Sequence, residues 1–275
     1  MTDLTFSMKQ RPETEIDLSP LIPEKLDGMN LDRIRRIRLR TRHKTVAAGD
    51  LFEISGRDKT TVRFRRCKGP VSNIGLGMQS GIIDITGHAG DYLGRGMRGG
   101  KIKLTGTAGD WVASGMAGGR IDISGDVGNF LGAAGPEERF GMLNGLITVW
   151  GSAGDRAGDR MRRGQILIYK DAGDFTGSRM VAGTILVLGK TGMHTGYRMK
   201  RGTIILRTGQ PYISPGFRSC GLLKMEFLRL LFRQSAKMGR RFAFFKEFGP
   251  EVYRYAGDLS CEGKGEIFIL QNARL

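Results

Sequence analysis

GIIDITGHAGDYLGRGMRG, Gly81 to Gly99, is followed without a gap by GKIKLTGTAGDWVASGMAG, Gly100 to Gly118, and the two align residue for residue. GRIDISGDVGNFLGAAG continues the series from Gly119. About seven inserted residues around Pro136 to Gly141 then delay it. It resumes with GLITVWGSAGDRAGDRMRR, GQILIYKDAGDFTGSRMVA and GTILVLGKTGMHTGYRMKR, so the repeat runs from about residue 62 to residue 208. Met78, Met97, Met116, Met142, Met161, Met180 and Met199 fix the register, 19 apart save for one gap of 26.

Within each unit one short segment alternates. Ile83 and Ile85, Ile102 and Leu104, Ile121 and Ile123, Ile147 and Val149, Ile166 and Ile168, Ile185 and Val187, and Ile204 and Leu206 fall on one side. Period-two alternation is the mark of a strand with one buried face. Such short strands cannot bury that face alone, so the units must stack, each strand beside its counterpart one unit on. The spacing predicts an all-β parallel solenoid of about seven 19-residue coils, with rungs about 4.8 Å apart. The methionines alternate with their neighbours as well, which places them inside, where a flexible thioether fills irregular space.

The 275 residues suffice for a large core, and 43 glycines suit a chain that bends every few residues. Lys and Arg number 44 against 27 Asp and Glu, a formal charge of +17 that implies an anionic partner or substrate but says nothing of fold. Cys67, Cys220 and Cys261 match no metal-ligand spacing and leave one cysteine unpaired, which suits a reducing cytoplasm. No apolar run approaches the roughly 18 residues of a membrane span, and Met1 to Gln10 does not read as an export signal.

Residues 1–49 stand outside the repeat and read as an N-terminal arm. Leu4 to Ser7 suggests a short edge strand, and Asn30 caps a short helix running to Arg36. Arg33, Arg35, Arg36, Arg38, Arg40, Arg42 and Lys44 make this the most basic stretch, either solvated or held against an acidic partner. Leu51 to Gly56 and Val62 to Arg65 read as the first strands of the stack, assigned to 50–208.

Residues 209–275 read as a cover for the far end, where a bare strand edge invites aggregation. A helix is expected over Leu222 to Met238, with Leu223, Phe227, Leu230 and Leu231 on its apolar side. Phe242, Phe244, Phe245 and Phe248 follow, then a strand over Gly265 to Leu270. A structural cap and a docking element for another protein are both open. On the outer strand face, early units carry Asp84, Lys101, Lys103, Arg120 and Asp122. Later units carry Leu146, Trp150, Leu167, Tyr169, Leu186, Leu188 and Ile205, so this segment or a partner protein covers them.

Beside the methionines, Arg160, Arg179 and Arg198 occupy a repeat position held earlier by Gly77, Gly96 and Gly115. Like charges one rung apart repel by about 1 kcal/mol per pair even in a water-like dielectric, so a partner must offset them. An internal partner is the column of Asp91, Asp110, Asp155 and Asp174, with Asn129; those side chains have a competing use in capping turn amides of the next unit. An external polyanion is the other, helped by Arg162, Arg163, Lys200 and Arg201. The candidate binding residues are therefore Arg160, Arg179, Arg198, Arg162, Lys200 and Arg201.

No catalytic residue is singled out and no metal site is expected. His43, His88 and His194 stand at no ligand spacing with one another or with cysteine. GRGMRGG precedes a strand and its kind repeats throughout, so it reads as turn geometry rather than a phosphate loop. The period matches neither the nine-residue calcium repeat nor the six-residue acyltransferase repeat.

Asp50-Leu-Phe-Glu-Ile-Ser-Gly56, the AGDY and AGDW turns with GMRGG and GMAGG, and Glu262-Gly-Lys-Gly-Glu-Ile carry a resemblance over nearly the whole chain. They resemble the C subunit of formylmethanofuran dehydrogenase and its bacterial counterpart, the C subunit of the formyltransferase/hydrolase complex of methylotrophs. The coil also resembles the glycine-repeat domain at the C-terminal end of glutamate synthase. This resemblance implies a right-handed parallel β-helix that is non-catalytic. Its implied partners are amidohydrolase-like, dehydrogenase-like and formyltransferase subunits in formaldehyde oxidation, with active-site residues in those chains.

An Arg-rich composition, unlike a thermophilic Lys/Glu balance, favours the formyltransferase/hydrolase complex. The alternative is the C subunit of a tungsten or molybdenum formylmethanofuran dehydrogenase. Also implied is a methanofuran-like carrier with a polyglutamate tail, not bound by this chain alone, which the basic residues would hold or guide. Neither nucleic acid nor membrane is expected as a partner. A freestanding polyanion-binding solenoid is a rival, though its basic residues lack interleaved aromatics. A carbohydrate-active enzyme is another, though the Asp column is too regular for a cleft.

Overall fold

The computed structural model describes residues 2–207, 212–237 and 239–271. Thirteen strands share one sheet: β1 (Asp3–Met8), β2 (Phe52–Ser55), β3 (Asp58–Cys67), β4 (Ile82–His88), β5 (Lys101–Thr107), β6 (Arg120–Ile123), β7 (Leu146–Val149), β8 (Gln165–Ile168), β9 (Thr184–Val187), β10 (Arg201–Leu206), β11 (Arg218–Lys224), β12 (Glu251–Gly257) and β13 (Lys264–Leu270). From β3 to β10, neighbours in sequence are neighbours in the sheet, and every pair is parallel.

Register follows the repeat. Ile83, Ile102, Ile121, Ile147, Ile166, Ile185 and Ile204 face one another in succession, and all are buried. A slip of one residue would turn the whole column to solvent, so burial fixes the pairing. Ile121 meets Ile147 across the long gap, so the inserted residues stay outside the ladder. A second line of contact runs where the chain turns, with Ala108, Val127, Ala153 and Ala172 bridging in order.

All seven expected methionines are buried. Each of the first six lays its terminal methyl against the glycine that opens the next strand. A Cβ on Gly119 would lie 2.7 Å from Met97 Cε and 2.9 Å from the Gly100 carbonyl oxygen, on a backbone at φ +88°. Glycine is required there twice over, by the left-handed backbone and by space.

At one margin β1 lies parallel to β3, with Leu4 opposite Val62 and Phe6 opposite Phe64, and β2 pairs antiparallel beyond it. The expected edge strand at Leu4–Ser7 is therefore internal, held by a cluster of Phe6, Phe52 and Phe64 with centroids 5.3–6.0 Å apart. The rest of residues 1–49 packs down as well: Leu18, Leu21, Leu26, Ile34 and Leu39 join the main core. Asn30 caps the helix Leu31–Arg35 as expected, its Oδ1 accepting from the Arg33 amide at 2.8 Å. Arg33, Arg35, Arg36, Arg38, Arg40, Arg42 and Lys44 all keep to solvent or its margin.

At the other margin β13 lies parallel to β10, Ile267 continuing the isoleucine column from Ile204, and β12 and β11 follow antiparallel. Leu222 to Lys224, expected as helix, belong to β11; the helix is Phe227–Ala236, and Met238 lies outside the described residues. Its buried side chains are Leu228 and Phe232, while Leu223, Phe227 and Leu230 are exposed. The face is chosen by where the helix begins, because Phe232 must meet Phe245 and Phe248 of the following 3-10 helix segment. Together these elements cover Leu167, Leu186, Leu188 and Ile205, with Trp150 on Phe242 and Tyr169 on Phe244. The apolar later face is thus covered by the chain itself. Among the described residues no helix is long and apolar enough to cross a membrane.

Candidate functional site

The basic column begins with a backbone peculiarity. Gly77, Gly96 and Gly115 have φ of +67°, +61° and +62°, and Arg160, Arg179 and Arg198, at the same repeat position, have +55°, +52° and +52°. A left-handed backbone costs an L-residue about 1–2 kcal/mol. Space does not keep glycine in the early repeats, since a Cβ at Gly77 or Gly96 would meet nothing within 4 Å. The arginines therefore hold a strained position that the early repeats leave to glycine.

The turn also explains why the strain persists. The amides of Arg160 and Arg179 donate to the carbonyls of Ser178 and Tyr197, one repeat on, at 3.0 and 2.7 Å. Arg198 has no further repeat to reach, and its amide donates instead to Asp258 Oδ2 at 2.9 Å. Asp258 is buried and stands in for the missing carbonyl, taking further bonds from Ser260 N at 2.9 Å and Ser260 Oγ at 2.7 Å. Burial alone would raise its carboxyl, but bonds from Ser260, Arg198 and Ser214 outweigh that and hold it below the ordinary range.

The internal charge partner is not the column expected. Asp91, Asp110, Asn129, Asp155 and Asp174 each accept from a backbone amide one repeat on, at 2.7–2.8 Å: Asp110, Asn129, Asp155, Asp174 and Met193 in turn. They cap turns and do not meet the arginines. The buried Asp159 does, taking Arg179 Nε at 2.9 Å and Nη2 at 2.6 Å with Ser178 Oγ at 2.6 Å; Arg160 Nε lies 3.9 Å off. One carboxylate thus serves two guanidinium groups.

The inserted loop docks on the glycine half of this face. Its Glu138 accepts from Arg95 Nε and Nη2 at 3.2 and 3.1 Å, Ser114 Oγ at 2.7 Å and the Gly135 amide at 2.9 Å. Partial burial opposes ionisation there, yet these bonds and the Arg95 charge hold its carboxyl below the usual glutamate range. Phe140 carries the guanidinium groups of Arg139 and Arg162 at 5.0 and 4.9 Å. Lys200 and Arg201 share Glu262 at 3.7 and 3.3 Å. Five of the six candidates therefore sit in three small groups: Arg160 and Arg179 on Asp159, Arg162 on Phe140, and Lys200 with Arg201 on Glu262. The side chain of Arg198 is exposed beside them.

A second column goes beyond what the sequence pattern led us to expect. Asn73, Tyr92, Trp111, Phe130, Arg156, Phe175 and His194 all have φ between +55° and +63°. Their side chains stack: Tyr92 on Trp111 at 5.5 Å and 11°, Trp111 on Phe130 at 4.5 Å and 4°, and Phe175 on His194 at 4.9 Å and 21°; Arg156 lies over Phe175 at 4.7 Å. A signal for it does exist, since an aromatic follows the turn Asp or Asn in four repeats. Among the described residues no three His, Cys, Asp or Glu side chains gather as metal ligands would.

The profile of the GXGXG motif family matches residues 67–214, which take in most of this repeat. The chain belongs to the GXGXG family. Within it, the chain falls with the C subunits of formylmethanofuran dehydrogenase and of its formyltransferase/hydrolase counterpart. A chain in the crystal structure of the formyltransferase/hydrolase complex (FhcABCD) from Methylorubrum extorquens, in complex with methylofuran, is 33% identical, with a TM-score of 0.89 over 98% of this chain and 100% of that one. Two curated relatives from Methanococcus maripaludis, each the C subunit of a tungsten-containing formylmethanofuran dehydrogenase 2, are 30% and 31% identical over 95 residues. That match covers 34% of this GXGXG chain, which spans about a third of the relatives' own length, 35% in each case.

Proposed function

We propose that the chain is the non-catalytic scaffold subunit of a one-carbon (formyl) transfer complex of the formyltransferase/hydrolase kind. The full-length match to a chain of such a complex carries this reading. It is supported by what the fold spends its residues on: holding register, capping turns and covering faces. The proposed partners are the amidohydrolase-like, dehydrogenase-like and formyltransferase subunits, in the cytoplasm. In this reading the stacked repeats wind as a right-handed parallel β-helix over 50–208, since parallel crossovers are right-handed almost without exception. Residues 1–49 and 209–275 then finish its two ends.

In the same reading the basic column guides the polyglutamate tail of a methanofuran-like carrier. Arg162 and Arg198 would carry most of this, because Arg160 and Arg179 already share Asp159 and Lys200 and Arg201 share Glu262. Affinity of the assembled complex for the tailed carrier should fall with added salt. Arg198→Ala with Arg162→Ala should weaken it about fivefold, or roughly 1 kcal/mol, and flatten that salt dependence. Affinity unchanged in the double variant would sink the guiding role.

The curated relatives favour a second reading, the C subunit of a tungsten formylmethanofuran dehydrogenase. Purification through a tag on this chain separates the two: co-eluting subunits without a metal-bound pterin support the hydrolytic complex, and subunits carrying one support the dehydrogenase. A lone monomer under moderate salt would leave the freestanding polyanion binder instead.

A further inference from the structure

Among the described residues, every exposed large apolar side chain lies from Met193 onward. Five of them gather around β11. Leu222 stands opposite Tyr253 on the β11–β12 ladder, and Leu223 stands opposite the buried Val252 on the other face, toward the helix that exposes Phe227 and Leu230. Leu230 is 59% exposed and Phe227 48%. All seven residues of β11 are exposed, and β11 is the terminal strand of its sheet. The opposite margin is finished differently: β2 buries Phe52 and Ile54, and the Arg35 guanidinium reaches the Ile54 carbonyl at 3.5 Å. One sheet edge is covered in part; the other, bulged at Cys220 and Gly221, presents backbone facing away from the ladder at Leu222 to Lys224 between two apolar flanks, which is the form that accepts an added strand.

Charge selects the occupant. Arg218, Lys224, Arg229 and Arg233 are exposed around this edge; Glu226 pairs with Lys224 at 3.0 Å and Arg229 at 3.3 Å, while Arg218 and Arg233 have no carboxylate in ion-pair range among the described residues. A second copy fits badly. Antiparallel pairing of β11 with itself about Gly221 would set Arg218 opposite Lys224 twice, like charges facing across a ladder.

We propose that the β11 edge is where a different protein of the complex docks, adding an extended segment with acidic side chains between apolar ones. This rests on the chain being one subunit of a larger complex. Hydrogen exchange, compared between the purified full chain and the complex drawn out by a tag on it, tests the edge. The β11 amides should exchange at least about tenfold more slowly in the complex. A photo-crosslinker placed on Cys220, with Cys261→Ser to keep labelling single, should join an Asp/Glu-bearing peptide of a different subunit. Leu222→Asp and, separately, Arg218→Glu should each cut co-purified subunits at least about fivefold while melting within about 2 °C of wild type.

Equal β11 exchange with and without partners overturns the proposal and leaves complex membership standing. A crosslink to a second copy, or full assembly of both variants, overturns it likewise. A wild-type chain that recovers no other subunit refutes the membership reading itself, a result distinct from the first.

Discussion

Arg160 and Arg179 occupy the same strained turn position, and they part company at one carboxylate. Arg179 forks onto the buried Asp159, whereas Arg160 only approaches it. Arg179→Gly should relieve the backbone and yet lose about 2–3 kcal/mol by stranding a buried carboxylate. Arg160→Gly should be neutral or stabilising by up to about 1 kcal/mol, as glycine is native at Gly77 and Gly96. Urea midpoints of the two variants would check the contrast, and an equal loss in both would refute it. Among the thiols, burial pushes Cys67 up to about 12, so no thiolate forms near neutrality. Native protein treated with iodoacetamide should take label at the exposed Cys220 and at Cys261 but not at Cys67 until it unfolds, which intact mass would show.

At the scale of the element, methionine and glycine from successive repeats act as one unit. Gly119→Ala drives a methyl into Met97 and forces an L-residue to φ +88°, for a loss of roughly 2–4 kcal/mol. Met97→Ala alone opens a cavity and should cost about 2–5 kcal/mol. The double variant should lose less than the two singles together, because each removes the other's clash or void. Strict additivity in thermal melts would argue against the contact.

Most of this repeat is legible in the letters: period, alternation and the inward methionines follow from burial with fixed spacing. The charge pairing is not. Five Asp and Asn residues at one repeat position draw attention, yet they are spent on amides of the next repeat, and the real partner, Asp159, occurs in a single repeat. β1 bears no repeat signature, so only the folded sheet reveals that Leu4 extends the column through Val62. Phe227 and Leu230 look inward from sequence because a helix begun five residues early rotates onto the wrong face.

Across the whole molecule, two carboxylates join segments distant in sequence. Glu138 ties the inserted loop to Arg95 and Ser114, and Asp258 ties the C-terminal turn to Arg198. Both are held below their ordinary values, so the unfolded chain binds protons more readily than the folded one. Their stabilisation is complete above the unfolded carboxylate range and drains away as pH falls below about 5. Denaturant midpoints should drop between pH 6 and pH 3, and less steeply in Glu138→Gln combined with Asp258→Asn. A wild-type midpoint flat over that interval would contradict the assignment.

The one-to-one register between strands has a final corollary. Each 19-residue unit adds a single increment of about 4.8 Å, while the finishing segments at either margin come from outside the repeat. Excising Gly100 to Gly118 would bring Gly99 directly to Gly119, ready to pair as its predecessor did. The chain is in effect a molecular ruler, and evolution can lengthen or shorten it by whole graduations without redesigning what is mounted at its tips.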